Sequence, residues 1–406
     1  MMSKTSKQYV LVLSGNLTTL MSGFLISVLA THTMATSEYG FYKAYLIALQ
    51  LFATISHLGF HYTFGREYAA SKSISDLKSL NGLGLKIIFI CSFTLLLGFY
   101  LLFFTGEQFE IFSIPEYIKL ASWTVSVMLL IFFAQQKLQG KNEMGYYAAL
   151  TILPQLFMSI LFSASYLLGI SLSGEQVVFS YLIFNVISLM FIFKEGVKFN
   201  TQSLNKKIIQ NNKTYGFNLY LGSLVAVSAS QFLSLLIATI AGLEEYGLFA
   251  LGMSLASPIA YVASTLGIVN FKRNLKATHI NNNELIRTAM LTFGTCVLYY
   301  IFLNFFIEYI IGVNYRGAVK YANVLIIFYA MTGLGDYLNK FLSAKGEGTK
   351  IRNGSILSGV SLVSISALLI PFLGIAGLIV SKIIGALVYL ISMTIAYKKT
   401  IKELGK

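Results

Sequence analysis

Several charged side chains lie inside long apolar stretches of the sequence, among them Lys43, Asp336, Lys340 and Lys382. A charge within a membrane-spanning helix costs about 2.5–3.5 kcal/mol on insertion scales, so each one needs a compensating contact or a function. Lysine side chains at that depth could hold an anionic ligand as point charges. For Lys382 two alternatives stay open: the stem reaches an interface, or the ammonium faces a water-filled cavity.

The carboxylate of Asp336 also has two interpretations. It lies one helical turn before Lys340, so an i, i+4 pair could neutralise both charges. It could instead be the partner of a substrate-binding cation or a proton-sensitive switch. Lys43 lies just inside the second apolar stretch of the chain.

Two arginines, Arg66 and Arg273, end equivalent apolar stretches in the two halves of the chain. They could be ordinary orientation signals of a membrane protein. They could also flank a cytoplasmic entrance for an anionic head group. The sequence therefore offers six candidate substrate-binding residues, namely Lys382, Lys43, Asp336, Lys340, Arg66 and Arg273.

Catalytic and metal chemistry find little support in the sequence. His57 and His61 are one helical turn apart, but no further ligand nearby completes a metal site. Cys91 and Cys296 lie inside apolar runs and suggest neither a disulfide frame nor a metal site. We find no nucleotide loop and no nucleophile–base arrangement. We expect a protein that is not an enzyme and that holds no metal and no cofactor.

The composition is that of a polytopic membrane protein. Hydrophobic residues make up 56% of the chain and charged residues 11%, whereas a soluble domain carries about 25% charged residues. The mean hydropathy is +0.71. The net charge of +14 would suggest nucleic acid in a soluble protein. Lysines in cytoplasmic loops explain it here, so we expect no nucleic-acid partner.

Apolar runs of about 20 residues predict spanning helices. The sequence predicts an all-α fold with twelve of them, at 9–31, 40–63, 79–104, 117–137, 146–170, 177–193, 216–241, 247–271, 286–311, 320–343, 354–373 and 376–397. Most of the 30 Lys and Arg residues fall in alternate connections, which predicts that both termini are cytoplasmic.

An internal duplication organises these helices. Glu38-Tyr39-Gly40 recurs as Glu245-Tyr246-Gly247, and Phe64-x-Arg66 recurs at the same offset as Phe271-x-Arg273. Duplication at half length predicts two six-helix bundles of the same topology, related by a pseudo-two-fold axis along the membrane normal. We predict an N-terminal bundle over 1–200, an interfacial linker over 201–214 and a C-terminal bundle over 215–406.

The chain also resembles a known family. Its first hairpin carries Glu-Tyr-Gly-Phe at the start of the second helix, followed by Leu58-Gly59 and the basic Arg66-Glu67-Tyr68-Ala69. The second half repeats this pattern with Leu266-Gly267 and Arg273. These motifs resemble those of the Wzx-type polysaccharide flippases, which belong to the multidrug/oligosaccharidyl-lipid/polysaccharide exporter (MOP) superfamily.

The resemblance implies translocation of an undecaprenyl-pyrophosphate-linked oligosaccharide, such as an O-antigen repeat unit, across the bacterial inner membrane by alternating access. It further implies the lipid bilayer, a polysaccharide polymerase and a chain-length regulator as partners. A multidrug or cation antiporter of the same superfamily is the alternative. Such antiporters need acidic groups at membrane depth, and Asp336 is plainly acidic well inside a predicted span, against several lysines.

Overall fold

The computed structural model is built from α-helices, as the apolar segments predict. It describes residues 4–71, 73–108, 114–190, 196–199 and 202–404, and within these ranges no strand occurs. The all-α prediction is therefore confirmed. Residues 191–193 of the sixth predicted segment and Thr201 of the predicted linker lie outside the described residues.

One compact unit contains Met1–Met34 and Phe41–Leu224. The helices in this part of the chain are α1 (Lys4–Thr33), α2 (Thr36–Ser56), α3 (Phe60–Ala70), α4 (Ile74–Gln108), α5 (Glu116–Gly140), α6 (Met144–Leu168), α7 (Gly174–Leu189), α8 (Gln202–Asn211) and α9 (Phe217–Ile240). A π-helical turn, Asn212–Gly216, joins α8 to α9.

The other compact unit contains Ala35–Gly40 and Val225–Lys406. Its helices, apart from the shared α2 and α9, are α10 (Gly242–Ala256), α11 (Pro258–Lys276), α12 (Asn282–Phe302), α13 (Glu308–Ile310), α14 (Gly317–Ala344) and α15 (Gly348–Leu404). The predicted domain boundaries at 200 and 214 remain a prediction.

The protein is a multi-pass membrane protein. By length and composition, seven of its described helices could cross a membrane, or eight if α2 and α3 form one bent span. The 57-residue α15 contains the last two predicted segments and is broken at Gly374, whose φ is 53°. The remaining predicted segments coincide with α1, α7 and α9. The described residues of all twelve predicted segments are therefore mostly helical.

The second predicted segment, 40–63, is not one straight helix. It breaks at Leu58 and Gly59, which have φ values of 45° and 81°, and α3 is bent 68° from α2. Asn212 stabilises the break, because its amide donates to the Leu58 carbonyl (3.0 Å) and accepts from the Thr63 hydroxyl (2.9 Å). A Cβ on Gly59 would lie 2.4 Å from the Gly216 carbonyl oxygen, so a side chain is excluded there.

The two copies of the Glu-Tyr-Gly phrase pack against each other inside the second unit. They lie near the starts of α2 and α10. A Cβ on Gly40 would lie 1.9 Å from the Leu243 carbonyl oxygen, and one on Gly247 would lie 2.3 Å from that of Thr36. The glycines are therefore required for backbone contact between the two helix starts.

Helix α8 occupies the predicted linker and packs against α3 and α4 within the first unit. Ile208 is fully buried in a cluster with Phe64 and Leu80, whereas Ile209 is 49% exposed. Lys207 and Asn211 each donate to the Glu67 carboxylate over 2.6 Å. One of the two isoleucines thus faces protein, and the predicted position of α8 at a membrane surface remains a prediction.

Candidate functional site

Lys382 lies in the second unit, on the part of α15 that follows the Gly374 break. Its side chain is 2% exposed. The Nζ atom donates to the Ser230 hydroxyl on α9 over 2.9 Å and lies 5.7 Å from the ring centroid of Phe328 on α14. Three helices therefore enclose the ammonium, and the side chain does not reach the protein surface.

The environment of this ammonium is electrostatically incomplete. An ammonium has three donor hydrogens, and Ser230 accepts one of them. The face of Phe328 gives a weaker attraction through its quadrupole. Among the described residues, none with a carboxylate forms an ion pair with Lys382. An anionic group would therefore find here a charge that the protein leaves uncompensated.

Asp336 lies farther along the seam between α14 and α15, where Tyr389 donates to its Oδ1 over 2.9 Å. Asn339 in turn donates to the Tyr389 hydroxyl over 2.8 Å. Asp336 follows Phe328 by eight residues, so helical rise separates it from the Lys382 level by about 12 Å. The contact between α14 and α15 thus contains the cationic Lys382 and the acidic Asp336, and these two side chains do not form an ion pair with each other.

No ion pair joins Lys340 to Asp336 in the described part of the chain, although Lys340 still exerts an electrostatic attraction on this carboxylate. The Lys340 stem instead packs at Gly267 on α11, where a Cβ would lie 3.0 Å from its Cγ. The acceptor role of Asp336 is used by Tyr389 from a different helix, a contact that local spacing does not reveal.

The remaining predicted residues lie elsewhere. In the first unit, Lys43 is half-buried on α2 with its Nζ 5.9 Å from the Tyr42 ring centroid, and Arg66 is exposed on α3. In the second unit, Arg273 of α11 is paired with Glu284 of α12. The structure therefore groups Lys382, Asp336 and Lys340 in one unit along α14 and α15, whereas Lys43 and Arg66 belong to the other unit.

Three residues of this site are not evident from the sequence pattern. Ser230, Phe328 and Tyr389 are ordinary residues of apolar helices, and each becomes important only through its partner. A weak signal for Ser230 exists in its neighbour Gln231, a polar residue in the same apolar run.

The fold is shared with solved transporters of the MOP superfamily. The lipid II flippase MurJ, in an inward closed conformation, matches with a TM-score of 0.71 at 12% identity, over 97% of this chain and 90% of that one. An inward-facing multidrug resistance MATE family transporter of the MOP superfamily matches with a TM-score of 0.66 at 16% identity, over 96% and 95% of the two chains.

A third solved structure, a MOP superfamily transporter from Pyrococcus furiosus, was described by its reversed binding-pocket polarity. It matches with a TM-score of 0.53 at 15% identity, over 98% of this chain and 94% of that one. At such identities the likeness establishes the fold alone. No curated protein sequence is significantly similar to the chain.

The sequence itself matches one family model, that of the polysaccharide biosynthesis proteins, over residues 6–271. The matched region includes the first Glu-Tyr-Gly phrase, the broken helix, α8 and the second copy of the phrase. It extends over more than half of the sequence, and the chain therefore belongs to the polysaccharide biosynthesis protein family.

Proposed function

We propose that the protein is a flippase for an undecaprenyl-pyrophosphate-linked oligosaccharide, such as an O-antigen repeat unit. It moves this lipid from the cytoplasmic to the outer leaflet of the bacterial inner membrane by alternating access of two six-helix bundles. Family membership and the fold of MOP superfamily transporters support the proposal. The two termini are proposed to be cytoplasmic.

The observation that carries the proposal is the enclosed Lys382 ammonium. Burying a charge without an ionic partner is unfavourable, so the residue is unexplained as a stabilising element. A diphosphate diester is a dianion, and its approach would supply the countercharge that the described residues do not provide. The Ser230 hydroxyl lies within hydrogen-bonding distance of the same ammonium and could also donate to a phosphate oxygen.

The parts of the proposed cargo match different surroundings. The diphosphate binds to lysine side chains, the sugars pass through a hydrated path, and the polyprenyl tail stays in lipid. An inside-negative membrane potential assists outward movement of an anion by about 2.3 kcal/mol per charge per 100 mV. The solved neighbour MurJ is itself named as a lipid II flippase, which is consistent with a cargo of this class.

Asp336 supports a second candidate function, a multidrug or cation antiporter. Its carboxylate lies on a helix long and apolar enough to cross a membrane, and acidic groups at that depth bind protons or cations. Multidrug transporters are also among the solved structures of this fold. Against this candidate, the charged residues inside apolar stretches of the sequence are mostly lysines, which favours an anionic cargo over a cation.

A gene deletion distinguishes the two functions. For a flippase, deletion should abolish the surface polysaccharide and leave lipid-linked repeat units facing the cytoplasm. The wild-type gene at native expression should restore the polysaccharide, while a gene carrying Lys382→Ala and Lys43→Ala should not. Unchanged polysaccharide with altered drug sensitivity would select the antiporter. Normal polysaccharide from the double variant would disprove the electrostatic role of the lysines.

The same cells test the proposed partners. We propose that a polysaccharide polymerase and a chain-length regulator use the product of this flippase at the outer leaflet. Crosslinking of the tagged protein in the membrane should recover these proteins if they contact it directly. If neither the polymerase nor the chain-length regulator is recovered, these proteins share a substrate with the flippase but do not contact it.

A further inference from the structure

An open groove lies between α11 and α12 in the second unit, away from the Lys382 site. One hollow of about 460 Å³ lies between α11 and α12, and an adjoining one of about 470 Å³ lies along α12 alone. Both hollows are lined by Asn283, Arg287 and Leu291, so they form one continuous surface. One end of the α11–α12 groove is polar and the other is apolar.

The polar end presents one uncompensated positive charge. Glu284 accepts from Asn270 (2.6 Å), Tyr337 (2.8 Å) and Arg273, so its carboxylate is fully occupied and neutralises Arg273. Arg287 lies one turn farther along α12, is exposed, and makes no ion pair or hydrogen bond with any described residue. Glu284 and Arg273 cancel each other, so the remaining positive charge of this polar end is that of Arg287.

The apolar end is a stripe along α12. Ile286, Met290 and Leu298 are 53%, 69% and 70% exposed and share one helix face with Gly294. A Cβ on Gly294 would meet no atom within 4 Å, so this glycine leaves a notch in the stripe. From Ile286 to Leu298 the stripe is about 18 Å long, close to one leaflet of a hydrocarbon core about 30 Å thick.

The internal duplication shows that the corresponding groove of the first unit is filled. At the offset that relates Arg66 to Arg273, Leu80 corresponds to Arg287 and Leu77 to Glu284. In the first unit both leucines belong to the cluster that packs around Ile208 of α8. The chain thus covers an apolar groove in one half with its own amphipathic helix, whereas none of the described residues covers the charged groove in the other half.

We propose that the α11–α12 groove binds an anionic phospholipid of the bilayer. The phosphodiester lies on the Arg287 guanidinium, which matches phosphate geometry through paired N–H donors. The exposed Asn283 amide, on the same polar end, adds a donor. An acyl chain lies along the α12 stripe. The single net charge favours a monoanionic phosphodiester over the dianionic diphosphate of the proposed cargo, so this inference does not depend on the transport function.

Native mass spectrometry of the full-length protein tests the proposal. The protein in detergent is titrated with phosphatidylglycerol and, separately, with phosphatidylcholine of the same acyl chains. We expect tighter binding of phosphatidylglycerol, and Arg287→Gln should lower its association constant about tenfold, which corresponds to about 1.4 kcal/mol. Arg287→Lys should retain part of the preference because it keeps the charge.

Arg352→Gln is the matched control, because Arg352 is an exposed arginine of α15 outside the groove. It should bind phosphatidylglycerol like the wild type. Each variant is compared only if its thermal unfolding matches that of the wild type, which the exposed position of Arg287 leads us to expect. Equal binding by wild type and Arg287→Gln would overturn the proposal. A stronger Arg287-dependent response to a polyprenyl diphosphate than to phosphatidylglycerol would also overturn it and assign the groove to the cargo lipid.

Discussion

The Lys382 ammonium donates to the Ser230 hydroxyl over 2.9 Å, from one apolar helix to another. This contact joins a charged residue to a neutral one and leaves the charge uncompensated within the described residues. A purely structural role would be better served by a hydrophobic side chain. Stability and transport should therefore respond in opposite directions when the charge is removed.

Replacing Lys382 with methionine tests whether stability and transport change in opposite directions. Lys382→Met keeps the length of the side chain and removes the charge, so the thermal unfolding temperature should stay equal or rise. Transport of the anionic cargo should fall severely, measured as surface polysaccharide at native expression. Lys398→Met is the matched control, since Lys398 is an exposed lysine on the same helix. A large loss of stability in Lys382→Met with proportionate loss of polysaccharide would reduce Lys382 to a structural residue.

Asp336 separates the two candidate functions. Asp336→Asn keeps an acceptor for the Tyr389 hydroxyl, so stability should change little. Asp336→Leu leaves the hydroxyl hydrogen without this acceptor, at a cost of about 1–3 kcal/mol, while Asn339 still donates to the hydroxyl oxygen. Thermal unfolding of the purified variants measures both effects. The flippase account predicts that Asp336→Asn still supports surface polysaccharide. Loss of surface polysaccharide with a folded Asp336→Asn protein would contradict this expectation, and an effect on drug sensitivity alone would favour the cation antiporter.

The glycines of the repeated phrase should be intolerant of a side chain. Gly40→Ala would place a Cβ 1.9 Å from a backbone oxygen of Leu243, and overpacking of this kind costs about 1–3 kcal/mol. We expect lower thermal stability and a smaller folded fraction in size-exclusion chromatography. Gly98→Ala is the control, because a Cβ there meets no atom within 4 Å. Equal behaviour of the two variants would refute the close contact between the two copies.

The packing of α8 against α3 and α4 depends on Ile208. Ile208→Asp would place a charge in the cluster with Phe64 and Leu80, so α8 should detach and trypsin should cleave faster at Lys206 and Lys207. Ile209→Asp changes the neighbouring, exposed residue and should leave the cleavage rate close to that of the wild type. Similar cleavage of both variants would show that α8 is not held by this contact.

Much of the fold follows from local sequence information. Apolar length predicts the helices because the backbone in lipid must satisfy its own hydrogen bonds, and the described residues of all twelve predicted segments are mostly helical. The repeated Glu-Tyr-Gly phrase predicts the duplication and places both copies near helix starts. These features depend on residues that are close in the chain.

The break at Leu58 and Gly59 could not be predicted in the same way. Its freed carbonyl is satisfied by Asn212, more than 100 residues later, and the close approach needs a second glycine at Gly216. The long apolar run 40–63 therefore predicted one helix where the structure has two. Hydropathy measures the average preference of a segment and carries no information about such a partner.

In the candidate site, too, the charged residues could be predicted from the local sequence, whereas their distant partners could not. Lys382 and Asp336 stand out because charge is rare in apolar runs, and the structure places both along the seam of α14 and α15. Their partners Ser230 and Tyr389 come from distant parts of the chain and carry no compositional signal. The i, i+4 spacing of Asp336 and Lys340 predicts one possible partner for the carboxylate, but it does not reveal the hydrogen bond from Tyr389 on the neighbouring helix.

The most direct test of the central claim is a flipping assay with purified protein in liposomes. A fluorescently labelled, diphosphate-linked polyprenyl oligosaccharide is placed in the membrane, and a glycosidase added outside measures how much of it becomes accessible. We expect rapid exposure of the inner-leaflet pool with the wild type, and only the protein-free rate with Lys382→Met. Equal rates for wild-type and protein-free liposomes, or undiminished flipping by Lys382→Met, would contradict this expectation.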